Sequence, residues 1–221
     1  MFDGPLCKLC SVQYIIYLLA FVGGFVIMSF ELLGGRVLAP YFGSSIYVWG
    51  SIITVFMASL SIGYLLGGKW SIRSPSFARF ASIFVVAAIL LYPLVLLAEP
   101  IMHWVFDMIE DPRFGSLVAA LILFSIPTVI LGMISPYSVR LIVDNVAESG
   151  QVAGRLYFVS TLGSALGTLM TSFYIVLWFE INTILTLLTL TLLAVAALGM
   201  VVNQRSTKRQ VDLAKAGETA N

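Results

Sequence analysis

Glu31 and Arg36 are the side chains of this sequence best suited to binding a charged ligand inside an apolar segment. Both lie in the first long apolar stretch, with Gly34 and Gly35 between them. Because a charge at membrane depth costs free energy unless it is paired or hydrated, such residues usually mark a functional or assembly site. A carboxylate suits a cationic ligand, and a guanidinium suits a carboxylate or a phosphate. The same two side chains could instead lock one helix to another, and the sequence leaves both readings open.

A stripe of hydroxyl side chains follows one side of the fifth apolar segment. Its members are Ser160, Ser164, Thr168, Thr171 and Ser172. Spacings of about four residues place them on one helix face, which we expect to point into the bundle. Gly163 and Gly167 are interleaved with the stripe, and Gly63 and Gly67 repeat the same four-residue spacing in the second segment. Small residues at this spacing favour close helix packing, whereas the hydroxyls could line a polar pathway.

A third polar group gathers near the adjoining ends of the fourth and fifth apolar segments. It consists of Tyr137, Arg140, Arg155 and Tyr157. Basic and aromatic side chains at the end of an apolar segment favour the headgroup layer of a membrane. We expect these residues to contact lipid headgroups or a cytoplasmic partner.

No arrangement of residues predicts catalysis by this chain alone. The sequence contains no serine–histidine–acid set, no cluster of metal ligands and no glycine-rich loop between a strand and a helix. Cys7 and Cys10 form a CxxC pair without a second pair or a nearby histidine, so free thiols are expected. We therefore expect a protein that is not an enzyme by itself and that holds no cofactor or metal.

The composition predicts a membrane protein, since 60% of the residues are hydrophobic and 10% are charged. Apolar segments of about 20 residues, the length that crosses a hydrocarbon core, recur along the chain. Six are predicted, at 12–36, 47–68, 79–98, 115–142, 154–178 and 181–202. The expected fold is an all-α polytopic bundle of six transmembrane helices over 12–202, preceded by a short N-terminus at 1–11 and followed by a flexible tail at 203–221.

Charge placement predicts the orientation of this bundle. With a cytoplasmic N-terminus, 10 of the 12 Lys and Arg residues fall on the cytoplasmic side, and Arg36 and Arg113 fall on the other. Positive charge is enriched on the cytoplasmic side of membrane proteins, so we expect a multi-pass protein of the inner (plasma) membrane with both termini in the cytoplasm. The net charge of +1 gives no indication of a nucleic-acid partner.

Three stretches carry a family resemblance. They are ELLGGRVLAPYFGSSIYVWGSIITVFMASLSIGYLLGG at 31–68, PTVILGMISPYSVRLI at 127–142 and GRLYFVSTLGSALGT at 154–168. The chain resembles the membrane domain of the integral-membrane spermidine synthase-like proteins, whose helices are similar to half of a major facilitator transporter. The resemblance implies six helices, which would need a homodimer or a second membrane subunit to make a two-bundle pathway.

The resemblance also implies a function. Fused members of the family carry a cytoplasmic aminopropyltransferase-like domain after the last helix, and this chain ends at Asn221, about where that domain would begin. The implied role is transport or substrate handling together with a separate soluble aminopropyltransferase-like enzyme, and a cationic polyamine would suit Glu31. The alternative is an accessory or scaffold subunit that transports nothing and organises a larger membrane assembly.

Overall fold

In the computed structural model, the backbone is described for residues 5–72, 75–143 and 149–218, and side chains for 13–72, 75–143 and 149–204. The elements are helical: α1 (Pro5–Phe42), α2 (Ile46–Ile72), α3 (Phe77–Leu91), α4 (Leu94–Met108), α5 (Pro112–Gly132), α6 (Ile134–Ile142), α7 (Ser149–Met170), a π-helical segment (Thr171–Ile175), α8 (Val176–Trp178) and α9 (Ile181–Glu218). The all-α prediction is confirmed. The side chains of Cys7 and Cys10 lie outside the described ones.

Five stretches are long and apolar enough to cross a membrane. They are Gln13–Phe42, Ile46–Ile72, Pro112–Ile142, Ser149–Trp178 and Ile181–Gln204. Helices α3 and α4 pass the same test only as a pair that is bent by 48°. Pro93 lies at the bend, where its ring and its missing N–H interrupt the helical hydrogen bonds. The described chain thus has five membrane-compatible helices, or six when the bent pair counts as one.

The two largest differences from the predicted boundaries are at the C-terminal ends of helices. The third predicted segment was expected to stop at residue 98, but α4 continues to Met108. The predicted flexible tail from residue 203 is helical as far as Glu218. This extension is rich in Lys, Arg, Gln, Leu and Ala, which are good helix formers, and it prolongs a helix that is already nucleated.

The helices pack in three main pairs. Helix α1 lies along α7, α2 lies along α5 and α6, and α3 lies along α9. Glycines on α7 and α2 bring the helices of the α1–α7 pair and of the α2–α5 pair close together. A Cβ atom on Gly163 would overlap the Phe21 carbonyl of α1, and one on Gly63 would overlap the Val129 carbonyl of α5. The predicted packing role of these glycines is therefore confirmed.

The core of the bundle is centred on three aromatic rings from α1, α2 and α5. The ring centroids of Phe30 and Phe56 lie 5.4 Å apart, and those of Phe30 and Phe124 are also 5.4 Å apart. All three side chains are buried. The tight turn that joins α1 to α2 begins at Gly43, whose φ of 76° favours glycine. Below, the end of the bundle that carries this turn is called the Gly43 end.

Candidate functional site

A cavity of about 450 Å³, here called the central cavity, opens between α1, α2, α6 and α7. Its polar lining comes from the hydroxyls of Tyr64, Ser135, Tyr157, Ser160, Thr161 and Ser164. The apolar remainder is supplied mainly by α1 and by the α5–α6 junction. A cavity of this size with several converging polar groups is a default candidate for ligand binding.

The shape of the cavity depends on how closely α1 and α7 approach each other. A Cβ atom on Gly24 would overlap the Ser160 carbonyl and would lie 2.8 Å from the Ser164 hydroxyl. A Cβ atom on Gly167 would lie 2.5 Å from the Phe25 carbonyl. Because these glycines bring the two backbones together, Ser160 and Ser164 border the cavity at its α1 wall. The glycines beside the stripe thus pack against α1, and two of its hydroxyls, those of Ser160 and Ser164, line the cavity, whereas a polar pathway along the stripe stays a prediction.

Tyr64 and Tyr157 are the largest polar side chains of the lining, on α2 and α7 respectively. They are 47% and 53% exposed, so their rings are free to meet a ligand from within the cavity. Tyr157 was predicted to contact headgroups or a partner, which stays a prediction, and the structure places its side chain in the lining of the cavity. Tyr64 was not selected from the sequence, because only the pairing of α2 with α5 and α6 shows which side of α2 stays open.

Glu31 lies on the same side of α1 as the cavity. Ile27 and Met28 line the cavity, and Glu31 follows them by one helical turn. One further turn along, Gly35 is covered by the ring of Trp49 from α2. Glu31 is half-buried, and among the described side chains no Lys, Arg or His forms an ion pair with it. A carboxyl group without a cationic partner among the described side chains thus lies one helical turn beyond the cavity lining, about 5 Å along the helix axis from the middle of its apolar span.

Arg36 does not pair with Glu31. Five residues separate the two on α1, which turns them about 140° apart. The Arg36 Nη1 atom donates a hydrogen bond of 3.3 Å to the Val176 carbonyl in α8. Of the two predicted roles for this pair, the structure places Arg36 as a link between helices, and it places Glu31 beside the central cavity.

The remaining predicted residues are distributed between packing and surface positions. Thr168 donates a 3.0 Å hydrogen bond to the Ser164 carbonyl one turn earlier, which satisfies its hydroxyl within α7. Tyr137 is fully buried, stacks on Phe80 at 5.7 Å, and exchanges hydrogen bonds with the backbone of Ser76 at 3.2 and 3.4 Å. Its satisfied, enclosed hydroxyl places it in the interior, not on the partner-facing surface that was predicted.

Arg140 and Arg155 are exposed at the end of the bundle opposite Gly43. They lie at the last turn of α6 and in the second turn of α7, where the chain turns from one apolar span to the next. Both side chains are thus available to headgroups or to another protein, as the prediction requires, and neither lines the central cavity.

Comparison with protein-family models, with curated proteins and with solved structures found no match for this chain.

Proposed function

We propose that this chain is one half of a substrate-handling membrane transporter, and that a second copy packs across the central cavity to complete the pathway. The observation that carries the proposal is Glu31, a carboxyl group without an ion-pair partner among the described side chains, one helical turn from a cavity that is lined by hydroxyls and apolar groups. Ionisable residues at membrane depth are expensive, and they commonly face a bundle interior or a water-filled pathway.

The helix pairing supports the half-transporter part of the proposal. The first three spans are α1, α2 and the α3–α4 pair, and their counterparts among the last three are α5–α6, α7–α8 and α9. If each span is replaced by its counterpart, the α1–α7 contact corresponds to the α5–α2 contact, and the α3–α9 contact corresponds to itself. The glycine contacts show the same correspondence, because Gly163 of α7 packs on α1 and Gly63 of α2 packs on α5. Three spans are an odd number, so two such halves would have opposite orientations. Inverted repeats of three plus three helices are typical of each half of a major facilitator transporter.

The chemistry of the cavity favours a cationic, hydrogen-bonding substrate. A carboxylate attracts a cation, while the faces of Tyr64 and Tyr157 can add a cation–π contribution of about 0.5–2 kcal/mol. The hydroxyls of Ser160 and Ser164 can accept hydrogen bonds from ammonium groups. A linear polyamine combines spaced positive charges with short apolar links, and it is the substrate class that we propose.

A separately encoded aminopropyltransferase-like enzyme would make or consume such a substrate. The exposed Arg140 and Arg155 offer positive charge at the end of the bundle opposite Gly43, where a soluble enzyme could dock. This part of the proposal rests on the family resemblance of the sequence together with the accessibility of the two arginines.

The direct test is ligand-dependent thermal stabilisation of the purified protein by spermidine. A ligand that binds only the folded protein raises its apparent stability by RT ln(1 + L/Kd), where L is the free ligand concentration, so the rise continues as that concentration increases beyond Kd. Wild-type protein should show a rise that depends on concentration, and loss of that rise on neutralising Glu31 would assign the site. Absence of any rise in the wild type would contradict the polyamine part of the proposal.

One observation favours the alternative function, a non-transporting scaffold subunit. In its most apolar window, the Ser149–Trp178 span has only 17% of its residues buried, against 56% for Pro112–Ile142. A span so little covered by its own chain has room for a partner subunit. Recovery of the protein inside a larger assembly of unrelated membrane subunits, without spermidine binding, would support this alternative.

A further inference from the structure

A second cavity, of about 700 Å³, lies at the Gly43 end of the bundle and is here called the end cavity. It is an open cavity bordered by the last turns of α1, by α4 and by the turn between α8 and α9. It shares no lining residue with the central cavity. An inference about this site is therefore independent of the proposed function.

The end cavity contains charges of both signs. Its lining includes Arg36 from α1, Glu99 from α4 and Glu180 from the α8–α9 turn. Arg36 donates its described hydrogen bond to a neutral carbonyl, that of Val176. Within the described side chains, neither carboxylate forms a salt bridge with Arg36. A cationic group and two anionic groups therefore face one cavity without neutralising each other by direct contact.

The rest of the lining is suited to a membrane surface. Tyr41 and Trp178 are aromatic, and Trp178 is 80% exposed. Three candidate spans end or begin at this cavity: one ends at Phe42, one ends at Trp178, and one begins at Ile181. Amphipathic aromatic rings at the ends of spans favour the headgroup layer of a bilayer. The end cavity thus lies where a lipid headgroup or a small solute from the aqueous side would meet the protein.

We propose that the end cavity binds a zwitterion that carries a primary amine and an anionic group, as phosphoethanolamine does. Arg36 binds the phosphate or carboxylate, and Glu99 and Glu180 accept hydrogen bonds from the ammonium group. A quaternary amine lacks the N–H donors that these carboxylates need. A polyamine has no anionic group and would leave Arg36 without an anionic partner in this cavity. The ligand is either the headgroup of a phospholipid or a free solute with the same two groups.

The test is native mass spectrometry of the full chain in detergent with added lipid, comparing phosphatidylethanolamine with phosphatidylcholine of identical acyl chains. Phosphatidylethanolamine should bind at least about tenfold more tightly, the scale of a lost charge-assisted hydrogen bond. Glu180→Gln and Glu99→Gln should each remove most of that preference. Asp107→Asn is the matched control, because this exposed acid of α4 lies outside the end-cavity lining and should leave the preference unchanged.

Competition with free phosphoethanolamine distinguishes the two sources. If millimolar phosphoethanolamine displaces the lipid, the cavity binds the free solute. If only intact lipid binds, the cavity binds the headgroup of a membrane lipid. Either result supports the proposal. Equal binding of the two lipids would overturn it, as would an effect of Asp107→Asn equal to that of the glutamate variants. Spermidine that binds this cavity more tightly than phosphoethanolamine does in the wild-type protein would likewise replace the zwitterion with a polycation and overturn the proposal.

Discussion

Thr171 Oγ1 donates a 2.8 Å hydrogen bond to Ser29 Oγ, which joins the π-helical segment to α1 in the buried interior. The Ser29 hydroxyl in turn donates to the Gly167 carbonyl at 3.4 Å. Further toward the Gly43 end, Arg36 bonds to the Val176 carbonyl. Three polar links thus follow the glycine contacts along one helix interface. Helices α1 and α7 are held by packing at one end and by hydrogen bonds at the other.

Replacing Thr171 with valine should loosen this interface. The substitution keeps the branched shape and removes the hydroxyl that donates to Ser29. Hydrogen bonds between membrane helices contribute about 0.6–1.7 kcal/mol, so we expect a loss of unfolding free energy of that size. Thr191→Val is the control, because the Thr191 hydroxyl is exposed and bonds only within its own helix, to Leu187. Equal effects in reversible unfolding would show that the link between the helices does not stabilise the fold.

The glycine contact between α7 and α1 should not tolerate a methyl group. Gly163→Ala would drive a Cβ atom into the Phe21 carbonyl, and overpacking of this kind typically costs about 1–3 kcal/mol. Gly154→Ala is the matched control in the same helix, since nothing lies within 4 Å of its Cβ position. That control should be neutral or should stabilise by up to about 1 kcal/mol, because alanine is the better helix former. A thermal shift of the same sign in both variants would contradict the close approach.

Water should reach the central cavity from one side of the membrane. In a protein whose Cys7 and Cys10 are replaced by serine, Ser160→Cys and Ser164→Cys should react with a membrane-impermeant thiol reagent, because both positions line the cavity. Leu169→Cys, which is 51% exposed but lies outside the cavity, should face lipid and react slowly. A thiol reacts as its thiolate, which forms only where water is available. Equally slow labelling at all three positions would show that the cavity is dry.

Neutralising Glu31 should abolish stabilisation by spermidine without unfolding the protein. Glu31→Gln keeps the size of the side chain and removes the negative charge that would attract the substrate. Since no ion pair depends on Glu31 among the described residues, its removal should leave the ligand-free melting temperature within a few degrees. Glu110→Gln, an exposed acid outside both cavities, is the charge-matched control and should respond to spermidine as the wild type does. An undiminished response in Glu31→Gln would place the ligand elsewhere.

Much of the helix layout could be read from the sequence because it depends on local features. The length of each apolar run predicts a span, the prolines predict bends such as the one at Pro93, and the four-residue glycine spacing predicts close packing. The partner of each glycine could not be predicted. Gly163 meets Phe21, and Gly63 meets Val129, through tertiary contacts between distant parts of the chain.

The polar residues were harder to interpret for the same reason. The partners Thr171 and Ser29 are 142 residues apart, and Arg36 and Val176 are 140 apart, so no local pattern relates them. Tyr137 has the amphipathic character of an interfacial residue, yet Phe80 and Trp70 enclose its ring in the folded chain. The apolar pattern located Glu31 on a helix, but only the packing of α1 shows that it lies one turn from the residues that line a cavity.

Two copies of this chain should together complete the pathway at the central cavity, and the intact mass of the complex after mild extraction from native membranes tests this pairing directly. We expect a complex with two copies of the chain, with or without a bound aminopropyltransferase-like enzyme. A single copy, or one copy inside an assembly of other membrane subunits, would contradict it.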